Sequence, residues 1–437
     1  MTAITFSGLS TGLDTASMVS QLVAAEKVPA DTLASKQSDL SSQKSIIGSI
    51  SLAMSNLSTA AKALDLDSEV KPLSATVSGS NVAVAVSAGA TPGPHAIRVN
   101  SLAASQVTQT RSFTSSAAGA LGDGGVDITV GGTTKSISWS ASDSLADVAD
   151  RINAAGAGVT ASLMKVDDTS YRLVMTAKDT GTAKAPTFVD HGDGLDLSNS
   201  ANTKRLAKDA SVTIDGVDVT RGSNTVSDAL PGMTLTLNSV TAADAPDTVA
   251  TVALDTKSLG DKLQSFVSAY NAINASLHNQ LDYNGTTKGT NTLFGDSTLR
   301  GIQASLASMM SSAYGGSNLS IIGITRDKTG LMSFDSTKMA AALTKDPNAV
   351  STIFVSGGLA GGLTKSVDAY TATGGILQAK TDGMTARSKM YQTEIDRINA
   401  NADALQIRLE AQFTAMEEAV SKMKTASSQL TSLLPST

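Results

Sequence analysis

Between Met384 and Leu434 apolar residues recur at alternating steps of four and three, along a stretch without Gly or Pro that Pro435 closes. The stripe runs Tyr391, Ile395, Ile398, Ala402, Leu405, Leu409, Phe413, Met416, Val420, Met423, Ser427, Leu430, Leu434. This spacing is a coiled-coil heptad, and the additional step of four from Leu409 to Phe413 is a stutter that locally unwinds the supercoil. A helix over these residues is roughly 75 Å long at about 1.5 Å per residue, too long for a small domain to hide.

The other end of the chain carries a weaker version. Asp14 to Leu66 reads as helix, with Asp14 as N-cap after the Gly12-Leu13 break. Pro29 is expected to kink or split it. Beyond it Leu33, Leu40, Ile47, Met54 and Ala61 repeat every seven residues, joined by Ile50, Leu57 and Leu64 three positions after the last three of them. The matching earlier slots are Lys36 and Gln43, so this part of the seam is polar. Two such ends can pair side by side. The polar slots predict a loose pair toward the termini, ordered only when a partner packs on it.

From about Lys71 to Asp255 the period changes to two, the signature of half-buried strands. Val82-Ala-Val-Ala-Val86 alternates, as does Val212 to Val219 around an Asp215-Gly216 hairpin turn. Thr234 to Leu237 and Thr248 to Leu254 continue the pattern. Asp127 to Ile137 reads as a hairpin through Gly131-Gly132. A short helix follows, capped near Ser142 or Asp143, with Leu145, Val148 and Ile152 inward and Gly156 as its stop. Strands return at Val159–Met164 and Arg172–Thr176. Segments 128–148 and 213–230 are weakly alike, as related modules would be. Past the β zone, Leu259–Leu281, Asp296–Met310 and Asp335–Leu343 read as helices. Ile324–Phe334 reads as a hairpin and Gly357–Gly362 as a loop.

Composition then narrows the function. Aromatics are 3% and charged residues 16%, the latter below the roughly 25% of an ordinary soluble domain. Cores of small residues bury less area each, which favours several small modules. The net charge of −6, with no clustered basic stripe, argues against nucleic acid and anionic lipid as partners. No segment is apolar for long enough to enter a bilayer, and the start shows no secretory signal. Cysteine is absent, which removes disulfides, thiolate metal sites and thiol nucleophiles.

Candidate chemistry is sparse. His95, His191 and His278 lie far apart in sequence. The loop Asp190-His-Gly-Asp-Gly-Leu-Asp196 spaces its carboxylates at steps of three, unlike the steps of two in a calcium loop. Gly122–Asp127 feeds a strand rather than a helix N-terminus, so it makes no phosphate cradle. No G-x-S-x-G occurs. No catalytic residue, cofactor or metal ligand is expected.

The motifs resemble one family throughout: the flagellar filament caps, also called hook-associated protein 2. Its opening is similar to Ser7-Gly-Leu-Ser-Thr-Gly-Leu-Asp14 and Ala25-Glu-Lys-Val-Pro29. Its internal motif resembles Ser211–Val219, Ser223–Val226 and Leu230–Leu237. Residues 119–180 resemble the β–α module shared by flagellin and hook-associated proteins. Leu293–Asp296, Gly323–Thr325, Asp346–Val350 and Phe413–Glu417 are similar to its later part, while Ser427-Ser-Gln-Leu430 lacks the aromatic often found there.

The resemblance implies an α+β multidomain chain: terminal helices form a coiled-coil leg and a helical bundle domain, with two β-rich head domains inserted between them. The expected boundaries are a leg of 1–42 and 401–437, and a helical domain of 43–70 and 256–400. One β head would comprise 71–110 and 206–255, with an outer β/α head of 111–205 inserted in it. It implies a non-enzymatic structural cap at the flagellum tip, outside the cell, exported by the flagellar type III route without a cleaved signal. The implied partners are further copies in a ring-like plate, flagellin, the hook–filament junction protein and an export chaperone on the C-terminal helix. Host surface glycans are a further ligand class. The partner seam is Leu33, Leu40, Ile47, Ile50, Met54, Leu57, Leu64, Ile395, Ile398, Leu405, Leu409, Phe413, Met416, Val420, Met423, Leu430 and Leu434. Flagellin itself, the junction protein, or an adhesin with β heads on a helical stalk are the alternatives.

Overall fold

A computed structural model describes residues 12–281, 293–355 and 357–433. Leu434, Pro435 and the opening Ser7–Thr11 lie outside the described residues. The chain divides into two compact units, one built from its two ends (up to Val70 and from Leu259) and one from Lys71–Ser258. Among the described residues the helices are α1 (Thr15–Lys62), α2 (Asp67–Val70), α3 (Leu145–Ala154), α4 (Thr256–Leu281), α5 (Ser297–Ser311), α6 (Ser336–Lys345), α7 (Ala349–Phe354), α8 (Leu359–Thr371) and α9 (Ile376–Leu433).

The helical unit is organised by α1 and α9, about 72 and 87 Å long at ~1.5 Å per residue. They run antiparallel: Lys27 meets Asp403, Gln37 meets Gln392 and Lys44 meets Thr385. Asp14 caps α1 as expected, its carboxylate accepting the Ser17 N–H. Pro29 neither splits nor ends the helix, contrary to expectation. It lies on the exposed side with Ala25, whose carbonyl loses the usual donor, while Val23 and Ala30 are buried. Contacts on both sides of Pro29 therefore hold the two halves in line. Around the inner half of α1, helices α4 to α8 close a core in which Phe266 and Phe354 meet edge to face at 5.2 Å. Gly357–Gly362 is not all loop: α8 begins at Leu359 because Leu359, Ala360, Leu363 and Val367 are buried there, outweighing the poor helix propensity of Gly361 and Gly362. Likewise α9 starts at Ile376 and runs through Gly383.

The remaining unit is antiparallel sheet with α3 and two short 3-10 turns, Thr182–Lys184 and Ser200–Asn202. Its inner module holds β1 (Leu73–Val77), β2 (Val82–Val86) and β3 (Gly93–Ser101). The chain then crosses into an outer module of β4 (Val107–Gln109), β5 (Gly124–Val130), β6 (Thr133–Trp139), β7 (Val159–Asp167), β8 (Ser170–Ala177), β9 (Thr187–Gly192) and β10 (Thr203–Arg205). It returns through β11 (Ala210–Ile214), β12 (Val217–Arg221), β13 (Thr225–Val226), β14 (Met233–Leu237) and β15 (Thr248–Leu254). In the inner module the sheet β1-β15-β3-β11-β12 and the sheet β13-β14-β2 enclose Ile97, Val99, Val212, Leu235 and Val252. In the outer module the sheets β10-β4-β8-β7 and β6-β5-β9, with α3, enclose Val126, Leu145, Val148, Ile152 and Leu173. A hairpin of β16 (Ile324–Arg326) and β17 (Met332–Phe334) belongs to the helical unit.

Turn chemistry explains the hairpin registers. Asp215 and Gly216 have φ of 48° and 83°, the paired positive values of a two-residue turn matched to strand twist. The N-cap of α3 is Ser144, not Ser142 or Asp143. Ser144 and Asp147 form a reciprocal capping box, whereas Asp143 accepts from the Ser140 N–H and from Arg151. The likeness of 213–230 to 128–148 stops where it meets Leu145 and Leu230: α3 begins at Leu145, whereas Leu230 leads through a turn into β14.

Candidate functional site: the paired terminal helices

The apolar seam is buried to very different extents along its length. Ile47, Ile50, Met54, Leu57 and Leu64 are at most 1% exposed and belong to the helical core. Leu40 is buried and Leu33 half-buried. Further out, Ala30 packs with Ile395, Ile398 and Leu33, and then Val19 and Val23 pack with Ala402, Leu409 and Phe413. Leu405, Met416 and Val420 are half-buried. Beyond them Met423 and Leu430 are 66% and 65% exposed. One continuous stripe therefore begins in a sealed core and ends uncovered among the described residues.

Three seam residues escaped the sequence reading. Val19 continues the seven-residue repeat outward of Leu33 and was open to the same reading, whereas Val23 and Ala30 stand four residues after the repeat positions 19 and 26, one off the three-residue step used farther in. The polar slot was also misplaced. Lys36 is exposed, and Gln37 occupies the half-buried position, its amide donating to the Ser388 carbonyl and to Gln392. A side chain that bonds across the pair fixes its register without being apolar.

Charges trim the edges of this seam. Lys27 and Asp403 are 3.2 Å apart with both side chains exposed, so the pair adds little stability but favours this alignment. Arg397 donates to Glu394 and holds that carboxyl below its ordinary value. Within the core half, Lys380 of α9 pairs with Asp296, which also caps α5 by accepting the Thr298 and Leu299 N–H groups. Beside the seam on α1, Met18 and Leu22 are 43% and 48% exposed.

The β modules hold His–Asp pairs. His95 Nδ1 lies 2.7 Å from Asp215, and His191 Nε2 lies 3.0 Å from Asp127. A hydrogen bond from Ser136, and then the one with His191, lower the Asp127 pKa. Asp127, Ser136, Ser138 and His191 line an open depression of about 240 Å³ on the outward face of β5 and β6. The carboxylates of the 190–196 loop point apart. Asp190 accepts from the Leu195 and Ser198 N–H groups, Asp193 from Arg111 and Gly122, and Asp196 from Asn202. Each is spent on closing the loop, which leaves no converging ligand set there.

Comparison with known proteins places this architecture. Residues 207–425 match the model of the flagellar hook-associated protein 2 C-terminus and residues 11–106 that of its N-terminus. Residues 125–179, which contain the β5–β6 hairpin and α3, match the flagellin hook IN motif. Flagellar hook-associated protein 2 of Escherichia coli K12 is 32% identical over 99% of this chain and 98% of its own. The A-type protein of Pseudomonas aeruginosa is 30% identical over 99% and 97%. The crystal structure of the D1-D2-D3 domains of the flagellar cap protein FliD from Escherichia coli aligns with a TM-score of 0.66 at 32% identity, covering 78% of this chain and 99% of that one. The α+β order of helical ends around inserted sheets, the graded seam and these full-length matches together show that the chain belongs to the flagellar hook-associated protein 2 family, the structural caps of the flagellar filament.

Proposed function

We propose that the chain works at the distal end of the filament as a ring-like plate of identical subunits, which promotes insertion and folding of exported flagellin and prevents its loss. The β modules associate laterally in closed symmetry, as most homo-oligomers do. The paired ends of α1 and α9 form legs that lie among flagellin subunits. In this reading the leg comprises 1–42 with 401–437, and the helical domain 43–70 with 256–400. The heads comprise 71–110 with 206–255, and 111–205. Leu33, Leu40 and Ile47 to Leu64 hold the pair to its own core, and Ile395 to Phe413 hold it together. Met416, Val420, Met423, Leu430 and Leu434 meet partner helices.

The observation that carries this reading is the graded burial of one seam, from 1% exposure at Ile47 to 66% at Met423. An apolar side chain is worth about 1.5–3 kcal/mol when taken from water, so the uncovered end gains most by packing among similar rods. The work is steric and associative, with no bond chemistry. Transport through the flagellar type III route, with a chaperone covering the end of α9, would protect the same surface before assembly. The hook–filament junction protein is the first surface that such a cap would meet, and host surface glycans would be reached by the heads.

The test is complementation of a strain lacking the gene. Cells without the protein should build no normal filament and should release flagellin monomer. A Met423→Asp, Leu430→Asp copy should be exported yet fail to restore filaments. Full restoration by that copy would refute the leg assignment, and normal filaments in the deletion strain would refute the cap itself.

A further inference from the structure

The inner and outer β modules are joined by more than the two chain crossings. At the crossings, Ala104 and Lys208 exchange backbone hydrogen bonds of 2.8 and 3.0 Å, and Arg205 donates to Ser105. A third contact comes from residues 180–182, the turn that follows β8 of the outer module. There the Asp209 carboxylate accepts both the Thr182 N–H and its hydroxyl, each at 2.7 Å. The Thr180 hydroxyl donates to the Gly222 carbonyl at 2.6 Å, and the Gly181 N–H to the Ala104 carbonyl at 3.3 Å. Asp209 and Gly222 flank β11 and β12 of the inner module.

Gly181 is built into this contact by two constraints. Its φ is +96°, and a Cβ there would lie 2.5 Å from the Gly222 Cα and 2.7 Å from its carbonyl oxygen. Both obstacles are backbone, so a larger residue cannot be accommodated by side-chain movement. The requirement is one-sided: a Cβ on Gly222 would meet its nearest neighbour at 3.7 Å, an ordinary contact.

Two modules joined by short connectors normally pivot on one another unless their interface is large and apolar. This junction is small and polar, yet it has three attachment lines that are not collinear in sequence. We propose that residues 180–182, seated on Asp209 and Gly222, are a clasp that locks the two β modules into one rigid head. Opening it requires losing three side-chain hydrogen bonds together. Shape changes during the work of the protein then fall outside this head.

The absence of cysteine makes the test direct. Spin labels go on the full chain at Lys135→Cys of β6 and Thr251→Cys of β15, both exposed. The inter-label distance distribution is read by pulsed electron paramagnetic resonance. The parent should give one narrow distance, and Gly222→Ala should leave it narrow. Asp209→Ala should widen it about twofold, the default behaviour of loosely joined modules, with unchanged circular dichroism. Gly181→Ala should widen it as well. A parent distribution already as wide as that of Asp209→Ala overturns the clasp. So does an Asp209→Ala distribution as narrow as the parent's, since the crossings alone would then set the orientation.

Discussion

Single residues in this chain fall into sharply different energetic classes. Phe266 is fully buried and stacked edge to face on Phe354. Phe266→Ala should cost about 3–5 kcal/mol, read as a lower midpoint in denaturant unfolding of the full chain. Met423→Ala should stay within about 0.5 kcal/mol, because its side chain is largely in water. Equal effects of the two substitutions would contradict the difference in burial between the helical core and the far end of the seam. Among the titrating groups, Asp215 has its pKa lowered by hydrogen bonds from His95 and then the Ala96 N–H. A carboxyl depressed in the folded state stabilises above its ordinary pKa, and that contribution is lost as the pH falls through the folded value. The melting temperature should therefore drop below about pH 4, and Asp215→Ala should shrink the drop. A drop of the same size in the variant would clear Asp215 of that role.

At the scale of elements, the helices show what a sequence pattern can and cannot convey. The four-three repeat of α9 was legible because no Gly or Pro breaks it between Met384 and Leu434, and the hairpins because Asp215-Gly216 and Gly131-Gly132 admit few other turns. The register of the outer half of α1 was not, because hydrophobicity does not reveal that Gln37 bonds across the pair. The glycine start of α8 was hidden too, since burial of Leu359 and Leu363 decides it and no local propensity encodes that. Pro29 is the same lesson at a helix interior: the local rule holds, but packing on either side outweighs it. Pro29→Ala should restore the lost hydrogen bond and stabilise the helical unit by up to about 3 kcal/mol, visible as a higher melting temperature. A lower one would mean that the ring itself makes a needed contact. In the outer module, Ser144→Ala removes the capping box of α3 and should cost about 0.5–2 kcal/mol, measurable as earlier unfolding of that module. The candidate seam was legible as apolar along its whole length, but a stripe alone does not say where its cover stops: Ile47 to Leu64 lie in the sealed core and Met423 and Leu430 in water.

The molecule as a whole is built from one uninterrupted stretch, Lys71–Ser258, and one unit assembled from both ends. The β stretch has its own two cores and needs nothing from elsewhere in the chain to complete its sheets. Residues 71–258 produced alone should melt cooperatively and keep their strand signal in circular dichroism. A non-cooperative melt would show that the sheets depend on the ends. The helical unit has the opposite property. Val19 waits for Phe413 and Lys27 for Asp403, partners separated by nearly the whole sequence, and contacts of such separation form late. A polypeptide that emerges N-terminus first can thus finish its sheets while α1 is still without its mate, and only arrival of the last stretch lets the two rods zip together. On the proposed function, the part that forms last is the part that would meet its neighbours, so ordering and docking can be one step.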